Sequence, residues 1–170
     1  MKHFFNTAVT ILVLLVLVYS CNSAKTAQKS RADQDSVASW WQHRQFVFHA
    51  TNAQPMSGRN VNLTSDYTFE MRNDSIIAWL PYFGRSFIAP TNAAEGGIKF
   101  ATDSFTIKDE KKEKNLYKML VVPNGLPAFQ NTKDVQQLWL SIGTSGYGTL
   151  QIQSLNQTPI SFYGYLTGKW

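Results

Sequence analysis

The 170-residue chain is poor in the groups that carry most enzyme and metal chemistry. It contains one cysteine, three histidines and 11 acidic residues, and charged residues make up only 16% of it. A single cysteine cannot form an internal disulfide, which excludes a disulfide scaffold. His43 and His49, the two histidines beyond the N-terminal segment, match neither the i, i+4 helical metal pair nor a familiar zinc spacing. We therefore predict no metal site and no cofactor.

Signatures of catalysis are equally scarce. No nucleophile-elbow sequence is present, and no local pair of carboxylates marks an acid and a base. Gly143–Gly148 is glycine-rich, but its spacing is not that of a phosphate loop, and a strand-like stretch follows where a helix is needed. We predict no catalytic residue. An enzyme is disfavoured without being excluded, because two carboxylates distant in sequence suffice for glycoside hydrolysis.

The positive charge is not concentrated in any one region. The formal net charge is +5, but the basic residues are scattered or alternate with acids, as in residues 108–114. Such a mixture is typical of a solvated hairpin end and not of a stripe that follows phosphates. Nucleic-acid binding is therefore not expected.

The one long apolar run lies at the N-terminus. Residues 11–19 are apolar without a break and follow the basic Lys2. This run is far shorter than the roughly 20 residues that span a bilayer, so it is typical of a signal peptide. Val18-Tyr19-Ser20-Cys21 at its end resembles the bacterial lipobox, and the resemblance implies a lipid on Cys21. An ordinary cleaved signal peptide and a retained single-span anchor are the alternatives.

The lipobox divides the chain into three parts. Residues 1–20 are the predicted lipoprotein signal peptide, and residues 21–34 lack large apolar side chains and are predicted to be a flexible tether. Residues 35–170 are predicted to form a single β domain. The membrane, reached through the lipid on Cys21, is thus the first predicted partner.

The domain is predicted to be a curved antiparallel sheet of about eight strands with one N-terminal helix packed on it. Apolar residues alternate with a period of two from Phe46 to Phe162, and turn residues separate the runs. The helix carries Val37, Trp40 and Trp41 near one face and is capped by Asp33 or Asp35. The fold class is mainly β, with α+β as an alternative; a sandwich or a partly closed barrel fits the same pattern.

One hairpin can be predicted in register. With a turn at Asn73-Asp74, Met71 faces Ile76, Phe69 faces Ala78 and Tyr67 faces Leu80, so that every pair is apolar. Ile77 and Trp79 then lie on the opposite face. We expect the helix that carries Trp40 and Trp41 to cover that face.

Two aromatic surfaces are candidate ligand-binding sites. The first is the bend after Trp79, where an arginine accompanies aromatic rings, as in sites for sugars, aromatics or anions; its residues are Tyr82, Phe83, Arg85 and Phe87. The second is the face opposite the core side of the last strands, where Trp139, Tyr163 and Tyr165 stand beside Gln151 and Gln153. Either set could instead serve only to close the fold.

Three motifs carry a family resemblance. Residues 80–85, residues 95–100 and residues 159–164 resemble the uncharacterised domain of unknown function 4251, found mainly in exported proteins of Bacteroidota. The resemblance covers roughly residues 40–168. It implies location and a single domain, and it implies no activity and no catalytic residue.

Two short triplets, at Asp35-Ser36-Val37 and Asp74-Ser75-Ile76, resemble the O-glycosylation signal of such bacteria, and Ser36 is the preferred acceptor. The residues after Cys21 lack the acidic run associated with surface display in this group, which favours an outer-membrane anchor facing the periplasm. The leading hypothesis is a non-enzymatic envelope lipoprotein that binds an unknown envelope ligand or protein. The alternatives are a glycan hydrolase that uses scattered carboxylates and a structural subunit of an envelope assembly.

Overall fold

The computed structural model describes residues 33–87, 97–124 and 135–168. The predicted leader, Cys21 and most of the predicted tether lie outside the described residues, as do Glu95 and Gly96 of the second motif. Helix α1 covers residues 33–43, so it includes Asp33 and Gln34, the last two residues of the predicted tether. Within the described ranges, no helix is long and apolar enough to cross a membrane.

In the described ranges, nine strands follow the helix in one antiparallel sheet, and this confirms the predicted fold class. They are β1 (Gln45–Pro55), β2 (Val61–Arg72), β3 (Ser75–Leu80), β4 (Ile98–Thr102), β5 (Phe105–Glu113), β6 (Leu116–Pro123), β7 (Val135–Gly143), β8 (Tyr147–Ser154) and β9 (Ile160–Gly168). Their order in the sheet is β4-β3-β2-β1-β9-β8-β7-β6-β5. Each half of the sheet is a meander of sequential hairpins, and the pairing of β1 with β9 joins the halves.

The sheet curves until it is nearly closed. Its two edge strands, β4 and β5, are separated in the chain only by Asp103 and Ser104, so the two edges meet at this point. The curvature brings these edge strands together without pairing them, since they are the two ends of the strand order. It also divides the side chains cleanly into an inner and an outer set.

The inner face forms the hydrophobic core. Alternate residues of every strand from β1 to β4 and from β6 to β9 are buried in one cluster, and helix α1 adds Val37 and Trp41 to it. The Trp41 ring stacks on Phe46 with centroids 5.8 Å apart, and its Nε1–H donates to Glu110 at 3.0 Å. The helix therefore packs against the core where β1 begins and β9 ends. We call this the helix end of the sheet.

The predicted hairpin register is confirmed, but the predicted position of the helix is wrong. Met71 pairs with Ile76 and Phe69 with Ala78; the β2–β3 register ends at the pairing of Thr68 with Trp79. Trp79 is exposed, because the helix packs on Phe46 and Tyr117 of the inner face and not on the face of Ile77. Closure of the sheet buries the inner face, and the open end beside Phe46 is where the helix can bury Trp41.

Candidate functional site

The second predicted surface lies where the sequence placed it. Leu138, Leu140, Leu150, Ile152, Ile160 and Phe162 all point into the core. The intervening residues Trp139, Gln151, Gln153, Tyr163 and Tyr165 are exposed on the outer face. The alternation of the last strands was therefore enough to separate the two faces.

The strand registers place a row of outward-facing side chains across the sheet. Lateral pairing aligns one outward residue from each of six neighbouring strands, from β8 through β9, β1, β2 and β3 to β4. We call this the aromatic row; its residues are Tyr147, Tyr165, His49, Thr68, Trp79 and Lys99. At about 4.8 Å per strand, it extends roughly 24 Å across the sheet.

Rings in the row contact one another and remain open to solvent. The Tyr165 ring lies 5.2 Å from that of His49 at an interplanar angle of 15°, and 6.1 Å from that of Tyr147 at 54°. Lys99 Nζ lies 4.4 Å from the centroid of the Trp79 ring. Tyr147, Tyr165 and Trp79 are 55%, 37% and 53% exposed, which is unusual for large rings that have no solvent-facing role.

Hydrogen bonds fix the orientation of His49. Its Nδ1 lies 2.8 Å from Asp66 Oδ1, so the N–H donates to the carboxylate, and its Nε2 lies 3.1 Å from Thr167 Oγ1. This connectivity matches a hydroxyl–histidine–aspartate triad. Asp66 is 74% exposed, however, whereas the aspartate of such a triad is buried in a site that excludes water. The contacts with Asp66 and Thr167 therefore serve to hold the His49 ring nearly parallel to that of Tyr165.

A groove joins the aromatic row at the helix end. It has a volume of about 450 Å³ and lies between helix α1 and the turn from β7 to β8. Its lining consists of Asp33, Ser36, Val37, Trp40, Ser145, Gly146, Tyr147, Tyr165 and Leu166. Tyr147 and Tyr165 belong to both the groove and the row, so the two form one continuous surface.

Gly168 sets the position of Trp40 in this groove. A Cβ on Gly168 would come within 2.1 Å of the indole Nε1 of Trp40, so the ring rests directly on the backbone at the end of β9. Neighbouring Trp41 turns into the core. The adjacent tryptophans therefore divide their roles: Trp41 docks the helix, and Trp40 forms a wall of the groove.

The first predicted surface, the bend after β3, is tied to the opposite end of the sheet. The Tyr82 hydroxyl lies 2.9 Å from the carbonyl oxygen of Arg85 and 3.0 Å from that of Thr158. The Arg85 carbonyl accepts from the Thr158 N–H, and a bridge pairs Ser86 with Gln157. Gly84 permits this approach, since a Cβ there would come within 2.3 Å of the Tyr82 hydroxyl.

The predicted residues of the bend therefore separate into two kinds. Tyr82 is half-buried against the core and closes the fold, whereas Phe83, Arg85 and Phe87 are exposed. None of the four belongs to the aromatic row, because the row crosses β3 at Trp79, within the strand, whereas the bend follows the end of that strand. Ser36, the predicted glycosylation residue, lies in the first turns of α1 and lines the groove.

The sequence analysis did not identify several residues of this site. In the aromatic row these are Tyr147, Trp79, Lys99 and His49, the last with its partners Asp66 and Thr167. In the groove it is Trp40. Their outward direction follows from alternation with buried neighbours. Their grouping depends on the pairing of β1 with β9, which no local pattern specifies. In the part of the chain that the structure describes, no three His, Cys, Asp or Glu side chains come together as a metal site would require.

Comparisons with known proteins agree with this architecture. The chain is similar in structure to a protein of the same family from Bacteroides eggerthii DSM 20697, whose crystal structure is known at 1.95 Å resolution, with a TM-score of 0.55 and 15% sequence identity over 81% of this chain and 88% of that one. At this identity the likeness supports the fold alone. No curated protein matches the chain. The model of the family described as Domain of unknown function (DUF4251) matches residues 28–166. The chain belongs to this family.

Proposed function

We propose that this protein is a lipid-anchored protein of the cell envelope whose β domain binds an envelope ligand or partner protein without chemically changing it. The anchor is the lipid on Cys21, in the outer membrane and facing the periplasm. The binding surface is the outer face at the helix end, centred on Tyr147 and Tyr165. Trp139 and Tyr163, further along the same face, extend it.

The lipobox-like sequence supports the anchor. An apolar run too short to span a bilayer ends at the only cysteine, and a cysteine without a disulfide partner has a use if it accepts lipid. Because several acyl chains hold a protein far more firmly than one, a lipidated Cys21 would keep the domain at the membrane.

The continuous surface formed by the aromatic row and the groove is the observation that carries the binding function. Large rings are usually buried, yet here they stand in line on a face that the helix leaves open. Their positions are fixed by a rigid sheet, which reduces the entropy that a ligand must overcome on binding. Among the described residues that line the groove, Asp33 is the one carboxylate, whereas glycoside hydrolysis uses two. Binding without turnover therefore suits this surface best.

Membrane fractionation tests the anchor. The chain with Cys21→Ala should move from the membrane fraction to the soluble fraction, because the thiol that accepts lipid is gone. Ser20→Ala, which keeps a small residue before the cysteine, is the matched control and should stay with the membrane. Membrane attachment that survives Cys21→Ala would contradict the anchor.

A pull-down from envelope extract tests the binding surface. Combined Tyr147→Ala and Tyr165→Ala substitutions should remove the captured material. Combined Phe83→Ala and Phe87→Ala substitutions delete two exposed rings at the other end of the sheet and should leave capture unchanged. If the two double variants capture the same material as the unsubstituted chain, the aromatic row is not the binding site.

A further inference from the structure

Among the described residues that line it, the groove at the helix end combines aromatic walls with a single charge. Trp40, Tyr147 and Tyr165 are its three aromatic side chains, and Asp33 is the only formally charged residue among the described residues that line it. This local charge is opposite in sign to the net charge of the whole chain, which is +5. The groove is thus a negatively charged aromatic site on a basic protein.

Geometry favours a compact group held between the rings. The Tyr147 and Tyr165 rings are tilted by 54°, so they meet as two walls of a corner and do not stack into a flat platform. Trp40 lies on the helix side of the same groove, with its indole resting on Gly168. Hydroxyl groups of Ser36 and Ser145 add polar contacts at the rim.

We propose that this groove binds an organic ammonium group, held by the faces of Trp40, Tyr147 and Tyr165 and neutralised by Asp33. The inference rests on the proposed function, since it names the ligand chemistry of the same surface. Aromatic faces carry negative potential and attract cations, and cages of several rings are the known way of recognising alkylated ammonium groups. An anion would meet the Asp33 carboxylate, and no basic side chain among the described lining residues would offset it.

The rings should contribute more than the carboxylate. Each cation–ring contact contributes about 0.5–2 kcal/mol, so the loss of two rings should weaken binding by at least about fivefold. Asp33 is exposed, and water screens a charge pair at such a position. Asp33→Asn should therefore weaken binding by only about twofold to fivefold.

Titration of the purified full chain with choline tests the proposal, and its neutral isostere 3,3-dimethylbutan-1-ol is the matched ligand. Indole N–H signals in a proton–nitrogen correlation spectrum report on each tryptophan, and a Trp40→Phe variant assigns the signal of Trp40. Choline at millimolar concentration should shift the Trp40 signal and leave that of Trp139 in place. The neutral isostere should bind at least about tenfold more weakly, because it fills the groove without a charge.

Three variants complete the test. Combined Tyr147→Ala and Tyr165→Ala should abolish the shift, Asp33→Asn should reduce affinity modestly, and Phe87→Ala should change nothing. Equal affinity for the neutral isostere would overturn the proposal, as would a choline response centred on Trp79. Absence of any choline response would overturn it too, and the proposed function would survive that result if the pull-down still depended on Tyr147 and Tyr165.

Soluble amines and lipid headgroups share the ammonium chemistry, and a competition experiment separates them. Displacement of choline by ethanolamine but not by phosphatidylethanolamine vesicles would support a soluble amine as the ligand. Displacement by the vesicles, with phosphatidylglycerol vesicles as control, would support a lipid headgroup. Displacement by neither would narrow the ligand to a quaternary ammonium group such as that of choline.

Discussion

The two ends of the sheet use aromatic side chains in opposite ways. At the bend, the Tyr82 hydroxyl is tied to the backbone of Arg85 and Thr158, and the chain passes from β3 across to the connection between β8 and β9. At the helix end, Tyr147 and Tyr165 remain partly exposed to solvent beside a groove. A rich aromatic content is therefore no guide to function by itself. The hydrogen bonds of Tyr82 show that this ring closes the fold, whereas Tyr147 and Tyr165 remain exposed.

The same contrast appears within one pair of neighbours in helix α1. Trp41 is buried, stacked on Phe46 and hydrogen-bonded to Glu110, whereas Trp40 is half-buried and lines the groove. The helix is thereby fixed by one ring, and the next ring lines the groove. Four substitutions test this division of roles.

Trp41→Ala should have the largest effect on stability. It removes a fully packed ring and leaves a cavity beside Phe46, which typically costs about 3–5 kcal/mol of unfolding free energy. Urea denaturation measures the loss. Trp40→Ala is the matched control on the same helix and should cost much less; equal losses for the two variants would contradict the division of roles.

Gly168→Ala should displace the Trp40 ring that lines the groove. The new Cβ would meet the Trp40 indole, so the ring must move or the end of β9 must shift, at a cost of about 1–3 kcal/mol. The indole N–H signal of Trp40 should move, while that of Trp139 should not. An unchanged Trp40 signal would mean that the ring does not rest on Gly168.

Tyr82→Phe should lower the stability of the fold at the bend after β3 without affecting ligand binding. It deletes a hydroxyl that contacts two backbone carbonyl groups, and such a loss costs about 1–2 kcal/mol when the partners are partly buried. Thermal or urea unfolding measures this loss, and the pull-down should be unaffected. A loss of captured ligand without a loss of stability would show that the bend, and not the helix end, is the binding surface.

Asp66→Asn should have the smallest effect on stability, below about 1 kcal/mol, because the side chain is exposed and its pair with His49 is screened by water. Capture of the ligand should fall severalfold at most, through a less ordered His49 ring beside Tyr165. If this variant instead abolished a chemical conversion of the captured ligand, the Asp66–His49–Thr167 contacts would be catalytic.

Much of the fold could be predicted from local sequence. The turn at Asn73-Asp74 and the apolar partners on each side fixed the β2–β3 register, and alternation separated Leu138 from Trp139 and Phe162 from Tyr163. These features depend on a period of two and on residues close together in the chain. They can therefore be predicted from a single sequence.

The position of the helix and the grouping of the site residues depend on pairing between strands that are distant in the sequence. From the sequence alone, the amphipathic helix could pack on any apolar face, including that of Trp79. Only the closure of the sheet shows that the inner face is the one that the helix contacts. The contact of His49 with Thr167 requires β1 to pair with β9, and the contact of His49 with Asp66 joins it to β2, near a register shift between Ala50 and Asn52. Neither the pairing nor the irregularity has a local signature, so the aromatic row and its groove could not be predicted.

Photo-crosslinking in the native host tests whether ligand binding takes place at the helix end of the sheet. A photoreactive phenylalanine analogue placed at Tyr147, at the helix end, should yield a crosslinked product on illumination, and the same analogue placed at Phe87, beyond the bend, should not. Mass spectrometry of the two illuminated proteins gives the answer. A product at position 87 alone, or at both positions equally, would contradict the assignment of binding to the helix end.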